Sequence, residues 1–275
     1  MSLPTYATTT EKLSYWGVRI FSALVLLFLI APILVIMPLS FNPEPYFSYP
    51  LSGISLRWYE EFFLSERWLF AIKNSMIIAI ATTIVSTFLG TLAALGLTMA
   101  RIPGRPLIMS VLISPLIVPV IISAVGMFFF YARLGMTGSF VGIILAHSVL
   151  ATPFVIITVT ATLSGFDRSL LRAGASLGAK PQTVFFQIML PLILPGVISG
   201  ALFAFVTSFD EVVVVLFIAG PDQRTLPRQM FSGIREMISP TITAAATVLI
   251  VLSVAMLASL EMLRRRNERL RGIKS

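Results

Sequence analysis

Six apolar stretches set the terms on which this chain folds, each longer than the roughly 20 residues a helix needs to cross a hydrocarbon core. They cover residues 18–39, 72–99, 107–131, 140–163, 192–219 and 241–263. Inside a bilayer no water satisfies backbone N–H and C=O groups, so each stretch must close its own hydrogen bonds, and a helix does that within one segment. The expectation is an all-α membrane protein with six transmembrane helices. Of 275 residues, 57% are hydrophobic and 12% charged, against about 25% charged in a soluble domain. A cleaved leader competes for the first stretch, but its apolar part would be about 7–15 residues long. This one is longer and carries Pro32 and Pro38 near its end, so it is read as a retained span.

The spans differ in regularity. Pro115 and Pro119 fall inside the third and predict a break there, since each removes a donor and crowds the preceding turn. Gly220-Pro221 ends the fifth. Between the first two spans, residues 41–68 are polar and aromatic, and the stretch from Leu56 predicts a short interfacial helix with Trp58, Tyr59 and Trp68 at headgroup level. Asn74 and Ser75 are expected to cap or start the second span. Gly90, Ala94 and Gly96, with Gly196 and Gly200, predict faces for close helix packing.

Charge sets the orientation. With both termini inside, Lys12, Arg19, Arg101, Arg105, Arg168, Arg172, Lys180 and the six basic residues after Leu263 give 13 cytoplasmic positive charges, against 7 outside. The bias selects cytoplasmic termini and a cytoplasmic segment between spans four and five. It divides the chain into a cytoplasmic segment 1–17, a membrane domain 18–263 and a basic tail 264–275. The net charge of +8 is assigned to topology and anionic lipid rather than to nucleic acid. With no cysteine and one histidine, no metal centre is expected.

Asp210 and Glu211 are the costliest residues in the chain, at about 2.5–3.5 kcal/mol each inside a span. No basic residue shares their segment. On a continuous helix they would point about 100° apart, so one would face a central path. Phe209, Thr207 and Ser208 surround them with a ring and hydroxyls, a setting suited to a passing cation. His147 joins them as a candidate, with a helix–helix hydrogen bond as its plainer role.

The interruption between spans four and five, residues 164–191, reads as two short helices joined by a turn. Asp167 is placed to cap the first, Leu170, Ala173 and Leu177 share one face, and Gly178 and Pro181 end the run. A helix face too short to be stable alone suits insertion into a partner's groove. Here the sequence becomes recognisable. Gly178, nine residues, Ile188, one residue and Leu190-Pro191, with Ala173 upstream, resemble the coupling loop in the membrane subunits of bacterial binding-protein-dependent ABC importers. Arg172 and Gly174 stand where that family usually has Glu and Ala. Phe166-Asp167, the run Ser208 to Val214, and Ser239-Pro240-Thr241 resemble its polyamine branch.

The resemblance implies the type I importer permease fold in the bacterial inner membrane. It implies a coupling loop docking an ATPase subunit, a dimer in the family's manner, through Leu170, Arg172, Ala173, Gly174, Leu177, Gly178, Ala179, Ile188 and Pro191. A second homologous permease and a periplasmic binding protein complete the assembly it implies. No G-x-x-x-x-G-K-[ST] run occurs, so ATP and Mg belong to the partner and this chain has no catalytic centre or cofactor. The expected cargo is putrescine or spermidine, with another amine-bearing solute such as an amino acid or aminoalkylphosphonate as the alternative. An intramembrane enzyme using Asp210, Glu211 and His147 would leave the coupling-loop spacing unexplained, and a secondary transporter coupled to protons through Asp210 and Glu211 would function without any ATPase partner.

Overall fold

The computed structural model describes residues 8–100, 102–236 and 239–270. Regular structure among them is helical: α1 (Thr9–Leu39), α2 (Arg57–Leu64), α3 (Glu66–Met99), α4 (Arg105–Ile113), α5 (Val120–Arg133), α6 (Phe140–Ser164), α7 (Ser169–Ser176), α8 (Pro181–Val184), α9 (Leu190–Asp210), α10 (Val213–Ile218), α11 (Leu226–Glu236) and α12 (Pro240–Leu270). Among the described residues five helical segments are long and apolar enough to cross a membrane, and a sixth candidate is a bent pair that meets the same measure when its two helices are taken together. The chain forms two compact units. One is the described part of Met1–Leu64 with that of Glu236–Ala255; the other is Ser65–Arg235 with the described residues from Met256 on.

In the first unit α1 opens with a capping box: Glu11 N–H donates to Thr8 Oγ1 at 3.3 Å, and Thr8 N–H donates to Glu11 Oε2 at 2.8 Å. No residue of α1 is buried. A helix apolar on every face is stable only where lipid takes the place of water. After it, α2 turns Trp58 and Phe62 inward, four residues apart on one face. Trp58 Nε1–H donates to the Asn42 carbonyl at 2.6 Å, and the Tyr59 and Ser40 hydroxyls meet at 2.6 Å. Trp58 and Tyr59 are therefore not free headgroup anchors: partners within reach satisfy their polar atoms inside the protein. Trp68, at the start of α3, is buried as well.

In the second unit α3, α6 and α9 pack together around Ala94, Val155, Val159, Ile193 and Ala204, all fully buried. Glycine sets how closely the axes approach. A Cβ at Gly90 would lie 2.6 Å from Val155 Cβ, and one at Gly200 would lie 2.6 Å from Thr158 Oγ1 and 2.9 Å from Val155 Cα. Gly196 meets Thr162 in the same way, whereas Gly96 faces open space and takes no part. The third span breaks as the prolines predict: Arg105–Leu116 and Val120–Arg133 meet at 97°, with Pro115 in the 3-10 turn and Pro119 at the N-cap of α5.

Three features depart from the sequence reading. Span two begins at Glu66, so Asn74 and Ser75 sit two turns inside α3 and do not cap it. The second helix of the interruption is not short: α8, a π turn at Phe185–Met189 and α9 run on as one span, Pro181–Asp210. Leu190 N–H donates to the Phe185 carbonyl across that turn, the widening that lets Pro191 be accommodated in a continuing helix. Finally, the fifth span does not stay helical to residue 219. It stops at Asp210, passes through non-helical Glu211 (φ −73°, ψ 117°) and restarts as α10.

Candidate functional site

The break after Asp210 brings the candidate path residues into one short segment of the second unit and gives the two carboxylates different roles. Glu211 Oε1 accepts from Val214 N–H at 2.9 Å, so Glu211 caps the exposed amides of α10. Asp210 is exposed and has no hydrogen-bond or ionic partner among the described residues. It stands at the C-terminal end of α9, where carbonyl groups are left without helical donors and the backbone dipole is negative. A carboxylate there gains nothing from the helix, and it adds to a local negative potential open to a cation. The two carboxylates are not set 100° apart as on a continuous helix, because the pair straddles a helix end.

Around this point, the rings of Phe205 and Phe209 stack with centroids 5.5 Å apart at 15°, and Thr207 is half-buried. His147 does not share that exposure. It is 1% exposed, and its Nδ1 lies 2.9 Å from Ser208 Oγ, which ties α6 to α9 two residues before Asp210. His147 Nε2 is buried without a partner among the described residues.

Sequence reasoning missed the clamp behind α10. Asn74 Nδ2 donates to the carbonyls of Asp222 at 2.9 Å and Arg224 at 3.0 Å, and Leu226 N–H donates to Ser75 Oγ at 2.8 Å. Arg228 Nη1 donates to the carbonyls of Ala219 and Gly220, both at 3.0 Å, and Gly138 N–H donates to that of Ile218 at 2.8 Å. The last carbonyl of α10, at Ile218, and the two that follow it thereby have donors, and Val214, Val215 and Ile218 are buried beside Ile143 and Ala146. Two adjacent small polar residues, Asn74-Ser75, inside an otherwise apolar segment were the available signal.

In the interruption, Asp167 Oδ1 accepts from Ser169 N–H at 2.8 Å and Oδ2 from Ser169 Oγ at 2.6 Å. These bonds, with a smaller contribution from the Arg172 charge, hold the Asp167 carboxyl below the usual aspartate range. At the other end of α7, Gly178 takes φ +80° while its N–H donates to the Ala175 carbonyl and Ala179 N–H to that of Gly174, a glycine-terminated helix end. The two faces of α7 part cleanly. Gly174 is buried against Ile188 and Val184, whereas Leu170, Ala173 and Leu177 are exposed, Leu177 by 88%. Arg172, Gly178 and Pro191 are exposed, and Ala179 and Ile188 half-buried. Arg168 Nη2 donates to the Thr98 carbonyl at 2.5 Å and fastens the loop to the end of α3.

Residues 86–269 match the family described as "Binding-protein-dependent transport system inner membrane component". The chain belongs to that family. This permease subunit is 33% identical to the spermidine/putrescine transport system permease protein PotC of Haemophilus influenzae, covering 90% of this chain and 96% of that protein. It is 33% identical to the putrescine transport system permease protein PotI of Escherichia coli, covering 90% and 91%. Among solved structures, it resembles a chain of a bacterial ABC transporter that imports the acidic polysaccharide alginate, with a TM-score of 0.72, 12% identity and coverage of 95% and 99%. That likeness fixes the fold as that of importer permeases. The permease is thus a multi-pass inner-membrane subunit of an ATP-driven importer and not an enzyme, since the ATPase of such systems is a separate subunit.

Proposed function

We propose that this permease carries a cationic polyamine, of the spermidine or putrescine type, along a path where Asp210 is the principal charged contact. The observation that supports this most is the contrast between two adjacent carboxylates: Glu211 is occupied in capping α10, and Asp210 is exposed and unpartnered beside the stacked Phe205 and Phe209. Phe209, Thr207 and the cap Glu211 complete the contact zone. Ser208 and His147 serve it by holding α9 against α6. The names of the PotC and PotI relatives give the same substrate class.

Movement comes from outside the chain. In this reading α7 presents Leu170, Ala173 and Leu177, with Arg172, Gly178 and Ala179 at its edge, to a cytoplasmic ATPase dimer that binds ATP and Mg. Gly174, Ile188 and Pro191 transmit the displacement, because Gly174 packs on Ile188 and the π turn runs without interruption into α9. A push on α7 therefore reaches Asp210 through one helix. A second homologous permease closes the other side of the path, a periplasmic binding protein delivers the polyamine, and both termini face the cytoplasm.

Uptake of labelled spermidine by the reconstituted complex tests the assignment. Asp210→Asn raises KM about tenfold or more, the size expected for loss of a charge-assisted contact, while the ATPase subunit still co-purifies. An unchanged KM overturns the role of Asp210, and purification without an ATPase overturns the coupling.

A further inference from the structure

The first turns of α1 hold a basic and aromatic face that transport does not use. Lys12, Tyr15, Trp16 and Arg19 fall at i, i+3, i+4 and i+7, one side of the helix. The Arg19 guanidinium lies 4.3 Å from the centroid of the Tyr15 ring and 5.7 Å from that of Trp16. Stacked in this way it is held by the rings along its face, and stacking leaves the in-plane N–H donors of a guanidinium unused. Lys12, Trp16 and Arg19 are exposed. The one carboxylate within α1, Glu11, is taken up by the Thr8 cap.

Register places this face across the membrane–water interface. From Ile20 to Leu39 α1 carries no charged residue and no buried one. Twenty residues at about 1.5 Å each make a shaft of about 30 Å, the thickness of a hydrocarbon core. Arg19 then falls at its edge, within reach of lipid phosphates, and the Lys12 backbone lies about 10 Å farther out, just beyond the headgroup layer that its long side chain reaches back into.

We propose that Lys12, Tyr15, Trp16 and Arg19 form a binding site for the phosphate of an anionic phospholipid, one with a glycerol headgroup rather than an amine. The stacked guanidinium presents paired donors to the phosphodiester, the rings lie along the upper acyl chain, and Lys12 repels a headgroup ammonium, which disfavours zwitterionic lipids. This site stands apart from the substrate assignment and survives its failure.

Brominated lipids test it in the intact complex. Of the three tryptophans, Trp58 and Trp68 are buried and Trp16 is exposed, so the quenching lost in Trp16→Phe belongs to Trp16. At equal mole fraction, brominated phosphatidylglycerol is expected to quench Trp16 with at least threefold higher relative affinity than brominated phosphatidylcholine. Arg19→Ala brings that ratio to about one, and Arg19→Lys leaves it intermediate. Equal quenching by the two lipids in the unmodified protein overturns the proposal. So does quenching by neither, which would mean that a protein segment covers the face.

Discussion

The Glu211 carboxylate accepts from the Val214 amide at 2.9 Å, so one of the two acidic residues in the fifth span serves the backbone. That contact separates the pair experimentally. Glu211→Gln keeps an oxygen acceptor and is expected to change thermal stability by less than about 0.5 kcal/mol. Glu211→Ala leaves the Val214 amide without its acceptor and is expected to cost about 1 kcal/mol, the usual loss for a cap. Neither variant should reproduce the KM defect of Asp210→Asn. Thermal unfolding in detergent, paired with uptake kinetics, checks both.

Asn74→Leu is expected to be among the most destabilising single substitutions on α3. It leaves the Asp222 and Arg224 carbonyls without their donor, and each buried unsatisfied group costs about 1–3 kcal/mol. Asn74→Asp is isosteric but aims carboxylate oxygens at the same carbonyls, so shape alone does not rescue it. Hydrogen exchange resolved to residues 219–228 reads the result: protection falls there in both variants and is retained around Gly90 and Val155.

Much of this architecture was legible in the chain because lipid imposes a simple rule: long apolar runs are helices, and prolines mark where they break. The bend at Pro115 and Pro119 and the split faces of α7 follow from local chemistry of that kind. What stayed hidden depends on partners distant in sequence. Asn74 reads as a cap until residues 222 and 224 are known to lie beside it. Asp210 and Glu211 read as helical neighbours because nothing between Leu192 and Ala219 signals a stop; β-branched Val212 to Val215 fit a helix in an apolar setting. Trp58 reads as an interfacial anchor until the Asn42 carbonyl is found within reach of its indole. Gly96 and Gly200 are equivalent as letters, and only packing tells them apart.

Gly200→Ala therefore tests the packing directly. The added methyl meets Thr158 Oγ1 and the backbone at Val155 Cα, and backbone cannot move aside as a side-chain tip can. A loss of about 1–3 kcal/mol is expected. Gly96→Ala, facing open space in the same unit, is expected to be neutral or slightly stabilising through the higher helix propensity of alanine. Thermal midpoints of the two variants, measured side by side, give the comparison.

Gly178 is constrained by conformation and not by space, since a Cβ there would meet nothing within 4 Å at φ +80°. Gly178→Val is expected to cost about 1–2 kcal/mol locally, and Gly178→Asn less, because asparagine tolerates the left-handed region. Gly178→Asp stays inserted but adds a negative charge beside Leu177 and the proposed docking face. Basal ATP hydrolysis should then persist while hydrolysis coupled to uptake falls. If Asn and Asp variants lose coupling equally, the effect lies in the turn and not in the charge.

Asp167 gives α7 a sensitivity to acid whose sign is fixed by its hydrogen bonds. Because Ser169 and then Arg172 lower its folded-state pKa below the ordinary value of 3.8, the ionised carboxylate stabilises the start of α7. That contribution is fully present above about pH 3.8, and is lost as pH falls through the lower folded-state value. Ser169→Ala removes the 2.6 Å hydroxyl contact but keeps the 2.8 Å backbone one, so the pKa should rise part of the way back and fraying of α7 should begin at higher pH. Carbon-detected titration of Asp167, with amide exchange at Ser169 through Arg172, measures both. A variant that titrates like the unmodified protein would show that the hydroxyl contributes nothing to the cap.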